Sequence, residues 1–175
     1  RSGLSYYMDQ EGDVVQFMID HGLDWVGDVD CPMPTREALF KDLTLLEGDE
    51  IAEYRSLVGG LSWFATSLRW DIVHAVSRLQ MVASSPTKSA MDCAVRVAGY
   101  VHSTRGFKLG GLRTVGNTFK YFTDSDFAGD RNLTKSSRTG VVLFLNAIPV
   151  HWRSTPQPKT MYSPAAAEIY ALREG

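Results

Sequence analysis

The amino-acid sequence predicts an α+β protein, with a mainly helical part over residues 1–106 and a strand-bearing part over residues 107–175. Three observations lead there. Apolar residues recur at helical spacing through the first hundred positions. After Gly106 the pattern changes to short aromatic and β-branched runs separated by Gly, Asn, Asp and Pro. An alanine-rich stretch from Ala165 then returns to helix. With 175 residues, 44% of them hydrophobic, the chain can bury a sizeable core in one domain or two small ones.

The elements follow in order. Val14, Phe17 and Met18 predict a short helix over Asp13–His21, with Gly22 at the position where helices turn left-handed to stop. CPMP, with Pro32 and Pro34, cannot continue a helix and reads as an extended connector. An acidic, turn-rich stretch leads to Glu50. Ile51, Tyr54, Leu57, Val58, Leu61, Phe64 and Ala65 trace one face of a second helix. Asp71 is the expected N-cap of a third, carrying Ile72, Ala75, Val76, Leu79 and Val82. A fourth is expected from Ser85–Pro86 through Cys93, Ala94, Val97 and Val101, a capping serine followed by a first-turn proline. Candidate strands are Thr118–Thr123, Gly140–Leu145 and Ile148–Arg153, and Asn146–Ala147 is short enough to turn a hairpin. The polar loop STPQPKT precedes Ser163–Pro164 and the last helix.

Composition excludes several function classes. Eighteen basic residues against 20 acidic ones give a net charge of −2, so no bulk positive field draws nucleic acid and any such binding rests on local patches. Cys31 and Cys93 lack CxxC spacing, which argues against a disulfide framework or zinc site. No apolar run approaches the ~20 residues of a membrane span, and no signal-peptide pattern opens the chain. The expectation is an intracellular protein with no membrane partner. His21, His74, His102 and His151 have no ligand spacing, and Ser163 has no His and Asp to form a triad, so its expected task is capping.

Three segments carry a family resemblance. YRSLVGGLSWFATSLRWDIVHAVSRL, starting at Tyr54, is followed by TDSDFAGD (Thr123–Asp130) with KSSRTG (Lys135–Gly140), and then by His151–Trp152 with SPAAAEIYAL (Ser163–Leu172). In this order and at this spacing they resemble the polymerase polyprotein of copia-type LTR retrotransposons. The resemblance is to the reverse transcriptase connection segment and the N-terminal part of the ribonuclease H domain that follows it. It covers almost the whole chain, loosely over residues 1–50. It implies an incomplete ribonuclease H-like mixed β-sheet with one helix after the helical segment. The parent activity so implied is two-metal hydrolysis of RNA in RNA–DNA hybrids during reverse transcription, with Mg2+ as cofactor and the rest of the Pol polyprotein as partner. The implied setting is the cytoplasm, in a virus-like particle, or the nucleus.

The resemblance also assigns roles. Asp124 falls at the family's first metal-binding aspartate and Glu168 at its catalytic glutamate, and hard oxygen donors of this kind suit magnesium. Asp126, two residues on, shares a strand face with Asp124 and is a further candidate metal ligand. Lys135, Ser136 and Arg138 lie in a small polar, basic loop suited to phosphate contacts. Trp152 reads as a core residue of its strand. The family's further aspartates lie beyond this helix, so the resemblance implies a site that this chain does not complete alone. Two departures weaken the match: Ala166 replaces the capping-box glutamate, and Asp92, Val95, Gly99 and His102 occupy positions often basic in the family. Tyr7-Met8-Asp9-Gln10 is a decoy for the polymerase signature, with one aspartate where two are needed. The rival reading is a non-catalytic relic or captured host protein that serves as a packing or partner-binding module.

Overall fold

The computed structural model describes residues 5–33, 36–112, 117–127 and 136–174. They form two compact units, one of residues 9–108 and one of residues 5–8 with 109–174. Taken together, the described residues are α+β in outline, with five α-helices and two small antiparallel sheets.

The unit of residues 9–108 is helical. It contains α1 (Glu11–Asp20), a 3₁₀ turn (Arg36–Phe40), α2 (Asp49–Ser67), a second 3₁₀ turn (Trp70–Ile72), α3 (Val73–Met81) and α4 (Lys88–Ser103). Helix α1 ends as its sequence predicts. Gly22 sits at φ 61°, and the amides of Gly22 and Leu23 return to the carbonyls of Ile19 and Met18, at 3.0 and 2.8 Å. The predicted apolar faces meet in one core: Val14, Phe17 and Met18 of α1, Tyr54, Leu57, Leu61 and Phe64 of α2, Val76 and Leu79 of α3, and Ala94, Val97 and Val101 of α4 are all buried. Gly60 allows the closest approach, because a Cβ there would overlap the Phe17 ring, which also stacks edge-on against Phe64 at 5.3 Å.

Two predicted caps are corrected. Asp71 does not cap α3: it lies in the 3₁₀ turn before that helix, and its carboxylate is taken by the Arg69 guanidinium. The ion pair wins because Arg69 is nearly fully buried and a buried cation needs a counter-charge more than a helix end needs a cap. Helix α4 starts two residues later than Ser85–Pro86 suggests, with Thr87 Oγ1 accepting the Ala90 amide at 3.2 Å.

The second unit contains β1 (Ser5–Met8), β2 (Leu109–Leu112), β3 (Phe119–Asp126), β4 (Arg138–Leu145), β5 (Ile148–Pro156) and α5 (Pro164–Glu174). Strands β1 and β2 pair with each other, and β3-β4-β5 form an antiparallel meander. Asn146, at φ 58°, turns the β4–β5 hairpin where the sequence places it. The resemblance implies a mixed sheet, whereas every strand pair described here is antiparallel. Strands β1 and β2 were not anticipated, since YYM and LGGL are too short to declare a period. Helix α5 starts at Ser163, whose Oγ accepts the Ala166 amide at 3.1 Å, so the expected capping role is borne out.

Candidate functional site

Asp124 and Asp126 stand on β3, Glu168 on α5, and α5 packs against β3 and β4. Helix α5 is tied to β4 through one side chain. Gln157, just past β5, donates from Nε2 to Thr139 Oγ1 at 3.0 Å and to Ala167 O at 3.1 Å, and it is buried with both partners. Two alanines, Ala167 and Ala171, present no bulk and are fully buried, which lets the helix lie close to the strands. Glu168 follows Ala167 and is exposed, as is Asp124.

Strand alternation sorts the side chains by face. Direct register pairs put Ser125 with Thr139, and Thr123 with Val141 and Arg153, on the face that Gln157 ties to α5. Asp124 and Asp126 fall on the other face, with Gly140 and Arg138 across from them. The face of β3 that carries Asp124 is thus the one opposite the face tied to α5, although β3 is an edge strand of the described meander. Among the described residues no group of three or more His, Cys, Asp or Glu side chains gathers as a metal cage. Magnesium does not require one, since it is commonly held by one or two carboxylates with water and substrate phosphate completing the shell. Asp124 and Glu168 are oxygen donors of the type magnesium takes, carried on two elements that pack together, with Asp124 on the strand face opposite the helix.

The phosphate-contact candidates fare differently. Lys135 lies outside the described residues. Ser136 is half-buried at the entrance to β4. Arg138 is not in a solvated loop: it opens β4, is 2% exposed, and donates from Nη2 to Ser154 O at 3.3 Å. Asp126 stands directly across from it in register, so this carboxylate faces a buried cation rather than solvent alone. Trp152 is half-buried within β5. The sequence reading missed Gln157, which lies in the polar STPQPKT segment and offers no signal of burial. Among the described residues no helix is long and apolar enough to cross a membrane.

No protein-family model and no solved structure matches the chain. Curated proteins do. The chain is 31% identical over 121 residues to the secreted RxLR effector protein 161 of Plasmopara viticola, which covers 69% of this chain and 84% of that one. It is 30% identical over 155 residues to an uncharacterized mitochondrial protein of Arabidopsis thaliana, covering 86% of this chain and 63% of that one. It is 32% identical over 123 residues to the retrovirus-related Pol polyprotein from transposon TNT 1-94 of Nicotiana tabacum, over 69% of this chain but 9% of that polyprotein. The chain thus spans less than two thirds of the mitochondrial protein and about a tenth of the tobacco polyprotein. On these matches and the residues that carry them, the chain belongs to the copia-type retrotransposon Pol polyprotein family.

Proposed function

We propose that residues 107–175 are the first part of a ribonuclease H domain, that residues 1–106 are the connection segment before it, and that Asp124 and Glu168 contribute to a divalent-metal site for hydrolysis of RNA in RNA–DNA hybrids. The observation that carries the reading is the packing of α5 on β3, which sets the two elements bearing the expected carboxylates side by side in an antiparallel meander followed by a helix. Bound magnesium supplies a Lewis acid and an activated water. The chain's own part is to hold oxygen donors in place. β3 fixes Asp124 through its ladder to β4, and Gln157 fixes the helix that carries Glu168. Ser136, at the entrance to β4, and Lys135, the residue before it in the sequence, remain candidates for phosphate contact, whereas the burial of Arg138 suits it to holding the sheet together. The test is cleavage of an RNA–DNA hybrid by a Pol polyprotein that carries this segment. Asp124→Asn and Glu168→Gln should each reduce cleavage by orders of magnitude, and undiminished cleavage by both variants would overturn the assignment.

One observation favours a second reading. The effector of Plasmopara viticola is matched over 84% of its length, so a related segment exists as most of a protein that bears an effector's name. A captured, non-catalytic module of this kind would bind a partner without cleaving nucleic acid, and both variants would leave its binding unchanged.

A further inference from the structure

The charge of this chain is segregated. Residues 9–53 hold 13 acidic and two basic residues, a net charge of −11, against −2 for the whole chain, so all other positions together carry +9. The acidic segment supplies α1, the connector after it and the first turn of α2. A groove of about 660 Å³ opens among α1, α2 and α4. Its lining is two-sided. Leu23 and Leu57 are buried at the base, Met91 and Val95 of α4 are half-buried, and Asp20 and Glu53 stand exposed at the rim. His21 and Ser56 complete the lining, which contains no lysine or arginine. The His21 ring is held in place, with Nδ1 3.0 Å from Phe17 O and Nε2 3.4 Å from Ser56 Oγ. With Nδ1 facing that carbonyl, Nε2 is turned to the Ser56 hydroxyl, and the ring forms one wall of the groove. The floor rewards an apolar group and the rim a cation. A polyanion is repelled by the same field.

We propose that this groove docks a basic, part-apolar segment of a partner protein, one that places a leucine-sized side chain on Leu57 and Met91 and a lysine or arginine between Asp20 and Glu53. The occupant is chosen by charge complementarity: an apolar floor within a segment of net charge −11 selects against acidic peptides and nucleic acid. This surface lies in the unit of residues 9–108 and is independent of Asp124 and Glu168.

The test is fluorescence anisotropy of the 175-residue chain with a labelled leucine-lysine peptide and with a leucine-glutamate peptide of equal length. Binding of the lysine peptide is expected, weakened about tenfold in the D20N/E53Q double variant and by added salt, with no binding of the glutamate peptide. Both substitutions are isosteric and on exposed residues, and an unchanged circular dichroism melt checks that the variant folds. Met91→Glu offers a second check, since a charge on the apolar wall should weaken binding while leaving the rim intact. Equal affinity for both peptides, no binding of the lysine peptide, or full affinity in D20N/E53Q would overturn the proposal.

Discussion

Gln157 donates its side-chain amide to the carbonyl of Ala167, at 3.1 Å, inside the unit that carries the candidate site. The same nitrogen reaches Thr139 Oγ1, so one buried amide spans β4 and α5. Removing it leaves a buried carbonyl without this donor, which costs about 1–3 kcal/mol. Gln157→Ala should therefore lower the urea midpoint and raise amide exchange in residues 164–172 before the strands are affected. A variant with unchanged exchange in α5 would show that the alanine packing alone holds the helix.

Arg69 is the second polar anchor. Its Nε and Nη2 fork onto Asp71 Oδ1 and Oδ2 at 3.0 and 2.8 Å, while its guanidinium lies 5.5 Å from the Tyr100 ring centre and 5.2 Å from that of Phe107. Asp71→Ala strips a nearly buried cation of its counter-charge, and breaking such a pair costs about 3 kcal/mol. Chemical denaturation reads this loss. Arg69→Met with Asp71→Ala should recover part of it, because the aromatic slot accepts an apolar chain.

Gly60→Ala should destabilise the helical unit by about 1–3 kcal/mol, since the added methyl overlaps the Phe17 ring and forces α1 away from α2. Adding Phe17→Leu to the variant frees space and should reduce the penalty. Additive losses in this double-mutant cycle would place the strain elsewhere.

Tyr54 gives a pH dependence. Its hydroxyl donates to Leu79 O at 2.8 Å in the core, and burial, with a smaller push from Cys93, raises the phenol well above its usual value of 10. The folded pKa exceeds the unfolded one, so this contribution to stability is full below about pH 10 and is lost as pH rises from there through the folded value. Ultraviolet titration should show Tyr54 ionising late or only on unfolding, and Tyr54→Phe should remove its contribution to the late phase at a cost of about 1 kcal/mol from the lost hydrogen bond.

The helical half of the fold is legible because period 3.6 is repeated over long stretches: Tyr54, Leu57, Leu61 and Phe64 are all buried on one face of α2. The β4–β5 hairpin is legible from Asn146 and its flanking apolar runs. Illegible features depend on distant partners. Nothing local distinguishes Asp71 as an N-cap from Asp71 as the counter-ion of Arg69, since both readings need only a carboxylate before an apolar run. Arg138 looks like a loop cation within KSSRTG, and only the ladder that extends β4 back to it gives it a buried place within the sheet. Asp124 and Glu168, 44 residues apart in sequence, were drawn together by the family pattern alone. The structure sets their elements in contact and places Asp124 on the face away from Thr139.

That juxtaposition can be tested without turnover. Manganese takes the same oxygen ligands as magnesium and broadens nuclear magnetic resonance signals near its site. Titrated into the isotopically labelled 175-residue chain, it should broaden the amides of residues 123–126 and 167–169 together, and Asp124→Asn or Glu168→Gln should each suppress the broadening at both segments. Broadening confined to one segment, or undiminished in both variants, would contradict a cation shared by Asp124 and Glu168.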